Sequence, residues 1–166
     1  MSAGRLLVVD DTPEICDILR QFMGARGYDV VTAADGAEAL LRLRELPLPV
    51  LMLMDVGLPD MDGFTLYKQI RDNPRWRHIP VIFLTMHNRQ NERKTGLSLG
   101  AVDYLSKPFG MEELEQVQRK AADKRRLERD NIRLRTALAH GQPLPLLVGA
   151  SSAMRRVLET AGKVAM

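Results

Sequence analysis

Apolar residues along this chain switch between two kinds of run. Val50 to Met54 are five apolar residues without alternation, which predicts a short strand buried on both faces, as in a parallel sheet. Arg5 to Asp10, Tyr28 to Ala33, Pro80 to Leu84 and Ala101 to Leu105 are four more short strand-like runs. Between them the spacing turns helical. Asp11 or Thr12 can cap a helix with Pro13 in its first turn and Ile15, Leu19, Phe22 and Met23 on one face, stopped by Gly27. Asp35-Gly36 leads into a second helix with Ala39, Leu40, Leu43 and Leu46 on one face, ended by Pro47. A third runs from Gly63 to Asn73 with Phe64, Tyr67 and Ile70 inward, and a polar-rich fourth from Asn88 to Leu99 is closed by Gly100. Five strands alternating with helices predict an α/β doubly wound parallel sheet, ending near residue 120.

From Met111 to about Ala139 there is no Gly or Pro, and nearly every residue favours helix. At about 1.5 Å per residue this is a helix of roughly 40 Å. Val117, Lys124, Asn131 and Leu138 fall at one heptad position, Leu127 and Leu134 at the other; Lys120 and Lys124 break the early part of the repeat. A dimeric coiled coil is expected, with a lone Asn131 of the kind that often fixes register, and a lone extended helix stands as the alternative. Gly141 to Pro145 is a linker, and residues 146–166 begin something new. The expected organisation is a domain over 1–120, an extended fifth helix over 111–140, and a linker with the truncated start of another domain over 141–166.

Composition narrows the classes. Hydrophobic content of 45% and charged content of 27% fit a globular chain. No apolar run approaches 18 residues, so no membrane span is expected, and the four-residue N-terminal run Leu6 to Val9, stopped by Asp10-Asp11, is no signal peptide. A cytoplasmic location follows as the expectation. The single cysteine, Cys16, excludes an internal disulfide and reads as a small buried hydrophobe. The net charge of +3 belongs to residues 119–135, which carry a net +5 and leave the remainder at −2. His78, His87 and His140 show no metal spacing, although His87 lies two residues after Thr85.

The chemistry sits at strand ends. The first strand ends in Asp10 and Asp11, the third in Asp55, the fourth in Thr85, and Lys107 follows the fifth. With strand order 2-1-3-4-5 these ends are neighbours, and their side chains converge on one cleft at the carboxyl ends. Three carboxylates together suit a hard divalent cation, with Mg²⁺ the expected cofactor. A hydroxyl and an ammonium facing them suit an anion. A metal and an anion clamp in one cleft are what phosphoryl transfer requires.

These residues resemble the receiver domain of bacterial two-component response regulators. The resemblance covers residues 5 to about 120 and rests on Asp10-Asp11, the D-x-x-x-P-x-x-D-G run from Asp55 to Gly63, Thr85, Tyr104 and Lys107-Pro108. It implies a flavodoxin-like fold. It also implies that Asp55 is the phospho-acceptor for a sensor histidine kinase, and that Asp10, Asp11, Asp55 and the Gly57 carbonyl hold Mg²⁺. Lys107 would pair with Asp55 and later with the phosphoryl group, and Pro108 would follow a cis peptide bond. Thr85 and Tyr104 would act as the switch. Met86 departs from the family's usual small residue after the threonine, which puts the rate of phosphorylation in question. The chain is expected to be a self-phosphorylating receiver, not an enzyme in its own right.

Residues 146–166, with Leu147, Gly149, Ser151 and Met154, resemble the opening of the AAA+ domain of NtrC-like, sigma-54-dependent transcription activators. That resemblance implies a homodimer through the fifth helix and linker, with sigma-54 RNA polymerase and DNA as partners of the full-length protein. No G-x-x-x-x-G-K-[ST] loop is present in the chain, so ATP binding of that kind is not expected here. Two other readings stand beside it. One is a stand-alone receiver module whose helical tail binds a partner protein. The other is direct DNA binding by the basic helix, which the interleaving of basic residues with Leu127 and Leu134 disfavours.

Overall fold

A computed structural model describes residues 2–45, 47–86 and 90–139, the side chains of 90–93 excepted. The chain divides into two compact units, 1–127 and 128 onward. The first holds a five-stranded sheet of β1 (Gly4–Val9), β2 (Tyr28–Ala33), β3 (Leu51–Asp55), β4 (Val81–Thr85) and β5 (Asp103–Ser106). Its order is β2-β1-β3-β4-β5 and every pairing is parallel. The expected doubly wound architecture is therefore the observed one.

Alternate residues of each strand point to opposite faces, and two apolar cores result. Leu6, Val8, Leu51, Leu53, Ile82 and Leu84 face helix α1 (Pro13–Gly24), through Cys16, Leu19 and Met23, and helix α5 (Met111–Ala139), through Leu114, Val117 and Ala121. Leu7, Val9, Met52, Met54, Val81 and Phe83 face α2 (Gly36–Arg42) and α3 (Gly63–Asp72), through Ala39, Leu66, Tyr67 and Ile70. Helix α4 (Gln90–Ser98) lies against β5, and the absence of a side chain at Gly96 makes room for the ring of Tyr104.

Several boundaries differ from the sequence expectation for local reasons. Thr12 occupies the cap position of α1 but makes no side-chain cap bond. Helix α1 ends at Gly24, and Gly27, with φ 86°, shapes the turn into β2 instead. Helix α2 ends at Arg42, ahead of Pro47, and Leu46 lies outside the described residues. Strand β3 starts at Leu51, one residue after the expected Val50, and ends at Asp55 as expected. The heptad reading of α5 needs a correction at its start. Val117 is buried against the sheet, and the Lys124 ammonium donates to the Gly100 carbonyl at 3.3 Å. Both positions are occupied by the chain's own first unit. In the second unit, described residues 128–139 are helical, with Ile132, Leu134 and Leu138 exposed. Among the described residues no helix is long and apolar enough to cross a membrane.

Asp62 caps α3, accepting the Thr65 amide at 2.9 Å and its hydroxyl at 2.6 Å. The Thr65 hydroxyl bond is the main reason its carboxyl lies below the ordinary value. Its contribution is thus complete above the unfolded value of about 3.9 and is lost as pH falls through the lower folded value. Asp62→Ala is expected to cost about 1 kcal/mol at pH 7, measured by urea denaturation, with the gap to wild type closing below about pH 4.

Candidate functional site

Register brings the acids together. Val9 pairs with Met54, so one step further along each strand Asp10 stands beside Asp55. Asp55 pairs with Leu84, which places Thr85 one step on, and Thr85 pairs with Ser106, the residue before Lys107. Strand alternation then sorts the side chains. Asp10 continues the series Leu6, Val8, and Asp55 continues Leu51, Leu53. Both share the α1/α5 side. Thr85 continues Val81 and Phe83, on the side of α3 and α4.

The resulting cluster is tight and largely buried. Asp10, Asp55, Thr85 and Lys107 are all buried. The Lys107 ammonium donates to Asp55 Oδ2 at 3.1 Å and to Asp10 Oδ2 in a shorter contact. Asp10 Oδ1 accepts the Thr12 amide at 3.0 Å, and Asp55 Oδ1 accepts the Gly57 amide at 3.2 Å. Asp11 is the exposed member of the set. Asp10, Asp11 and Asp55 can each offer one oxygen such that all three lie within 4.8 Å of one another. Burial pushes the Asp55 carboxyl above its ordinary value; Asp10 adds to that, and the Lys107 ammonium opposes both.

Three carboxylates and one ammonium leave two negative charges when all are ionised. A small divalent cation that prefers oxygen donors matches both the charge and the donor type. The sequence-derived residues are accordingly placed together: Asp10, Asp11, Asp55 and Lys107 in one cluster, Thr85 on the adjoining strand end, and Gly57 bonded to Asp55 through its amide. The Lys107-Pro108 bond is cis, and the Lys107 amide donates to the Thr85 carbonyl at 2.7 Å. Tyr104 is half-buried, its ring 5.6 Å from that of Phe83 and against the backbone of Gly96. Met86, following Thr85, is 70% exposed. His87 lies outside the described residues, as does the whole tail 140–166.

Sequence reasoning gave no packing role to two contributors, Gly63, quoted only as a motif end and helix start, and Asp60. Gly63 is needed because a Cβ there would sit 2.4 Å from the Asp55 carbonyl oxygen, so α3 starts against the backbone of the acidic strand end. Its position next to the Asp62 cap is the signal that could have found it. Asp60 accepts the amides of Gly36 and Ala37, each at 2.9 Å, across 24 and 23 residues of chain. Nothing local in the sequence signals that contact.

The sequence profile described as "Response regulator receiver domain" matches residues 6–119. The chain belongs to that family. PleD, a response regulator of Caulobacter vibrioides, is 41% identical over 107 residues, which make up 64% of this chain and 23% of PleD. The transcriptional regulatory protein KdpE of Mycobacterium tuberculosis is 42% identical over 108 residues, 65% of this chain and 46% of KdpE. The chain thus spans less than half the length of either relative. Among solved structures, the chemotaxis response regulator CheY4 of Vibrio cholerae superposes with a TM-score of 0.65 at 32% identity, covering 70% of this chain and 98% of CheY4. The first unit is the receiver domain of a two-component response regulator.

Proposed function

We propose that this receiver accepts a phosphoryl group on Asp55 from the phosphohistidine of a sensor histidine kinase in the cytoplasm. The observation that carries the reading is the buried Lys107 ammonium held between Asp10 and Asp55, with Asp11 alongside. The Asp55 carboxylate is the nucleophile: one of its oxygens attacks phosphorus, the P–N bond breaks, and the imidazole nitrogen keeps the electron pair and is protonated. An acyl phosphate results. Lys107 then exchanges its bond to Asp55 for the phosphoryl oxygens, and the Thr85 hydroxyl donates to the same group. Asp10, Asp11, Asp55 and the Gly57 carbonyl fit Mg²⁺, which when bound neutralises charge on the transferring phosphoryl group. The chain serves as a self-phosphorylating switch, not as a turnover enzyme.

Removal of the Thr85 hydroxyl from its resting place opens space behind it for Tyr104, which lies on the same side of the sheet. That repacking biases the surface of α4, β5 and α5. The output is carried by α5. Leu127 and Leu138 are 69% and 63% exposed, Leu134 is also exposed, and Asn131 lies between them on the same helical stripe. This stripe supports pairing with a second copy of the chain, with the seam beginning at Leu127 and not at Val117. Together with the resemblance of residues 146–166, it supports an NtrC-like output in which the dimer controls an AAA+ ATPase, sigma-54 RNA polymerase and promoter DNA.

Light scattering after gel filtration, with and without beryllofluoride and Mg²⁺, tests this output. A change in molar mass between one and two copies is expected. A mass that is monomeric in both conditions would contradict the dimer reading.

A further inference from the structure

The loop between β3 and α3, residues 56–62, carries Gly57 and so one proposed ligand of the cation. It is fastened at its two ends by local bonds. The Gly63 amide donates to the Val56 carbonyl at 2.8 Å, and Gly57 and Asp62 form an isolated antiparallel bridge. Its middle is tied to another element. The Asp60 carboxylate receives the first two amides of α2, Gly36 to Oδ1 and Ala37 to Oδ2. The next amide, that of Glu38, goes to the Asp35 side chain at 2.7 Å, and the Ala34 amide goes to Glu38 at 2.9 Å. The leading amides of α2, which have no partners within the helix, are thereby satisfied, two of them from the β3–α3 loop. Beside this latch Met61 lies over Gly36, where a Cβ would fall 2.7 Å from the methionine Cγ and Sδ.

We infer that Asp60 is a positioning residue for the cation site: by clamping the loop to α2 it fixes where the Gly57 backbone stands relative to Asp55. The inference rests on the proposed Mg²⁺ site. A carboxylate suits the task because its two oxygens take the two parallel amides together and its charge favours a helix N-terminus. Its carboxyl lies below the ordinary value, chiefly through the Gly36 amide bond, so the latch is ionised at neutral pH. Asp60 is exposed and its carboxylate holds the Gly36 and Ala37 amides, so it reaches the cation site through the loop it belongs to.

The test is Mg²⁺ titration of the unphosphorylated full chain by calorimetry, with wild type, Asp60→Ala and Asp60→Asn, and Asp11→Ala as a control. Loss of an outer partner that orients a ligand costs on the order of tenfold in metal affinity, and Asp60→Ala is expected to weaken Mg²⁺ binding by about that factor. Asp60→Asn keeps one acceptor oxygen and is expected to fall between, which also secures the comparison if the alanine variant folds poorly. Amide hydrogen exchange at Gly57 and Leu58 is expected to quicken in the same order without metal present. A lower melting temperature with Mg²⁺ affinity equal to wild type would overturn the inference, leaving Asp60 a helix cap only and the Mg²⁺ site intact. Absence of Mg²⁺ binding by wild type itself would overturn the cation site along with it.

Discussion

Asp55→Asn is expected to reduce labelling by acetyl phosphate and Mg²⁺ to background. The amide is nearly isosteric with the carboxylate but is no nucleophile toward phosphorus, so the bond that stores the signal does not form. The fold should survive the change. Lys107 keeps its bond to Asp10, and the Gly57 amide keeps an acceptor. Stability should not fall either. Burial raises the Asp55 carboxyl, so at pH 7 its ionised form is less favourable in the folded chain than in the unfolded one. An amide removes that penalty. A urea midpoint at or above that of wild type, together with absent labelling, is the expected pair of results. Undiminished labelling would remove Asp55 from the chemistry.

Phe83→Ala should carry the largest effect on stability. Phe83 is fully buried in the centre of β4, with the rings of Phe64, Tyr67 and Tyr104 at centroid distances of 5.0, 5.4 and 5.6 Å. Two rings of α3 and the proposed switch tyrosine of β5 thus close on one side chain. Truncation removes buried apolar surface and leaves a cavity walled by rings on backbones that cannot all move inward, at a cost of about 3–5 kcal/mol. Urea denaturation reads it directly. Phe83→Leu, which keeps most of the volume, should lose much less. A loss under about 1 kcal/mol for the alanine variant would mean that α3 and α4 collapse onto the sheet freely, and that Tyr104 lacks the firm backing the switch needs.

The sheet was legible because its signal is local. Short unbroken apolar runs such as Leu51 to Met54, bounded by turn residues, read as strands buried on both faces, and the helices between them carry their own apolar spacing. The site was legible for a related reason: strand order and register place Asp10, Asp55 and Lys107 at adjacent strand ends once the alternation of strands and helices is recognised. Other features required coordinates. Asp60 looks like one more acid in a turn, and its partners lie at the start of a different helix. Val117 satisfies a heptad pattern and a core-facing helical stripe equally well, and only its burial, with Leu114 and Ala121, in the core on the sheet decides between them. The proposed switch depends on shape as well. Gly96 admits the Tyr104 ring, and no periodicity in the polar fourth helix marks it.

The account stands on the location of one covalent bond. Phosphorylated chain reduced with borohydride converts an aspartyl phosphate to homoserine, and tandem mass spectrometry then locates the altered residue. The predicted result is homoserine at position 55 alone. Homoserine at position 10 or 11, or modification of a histidine with residue 55 unaltered, would contradict it.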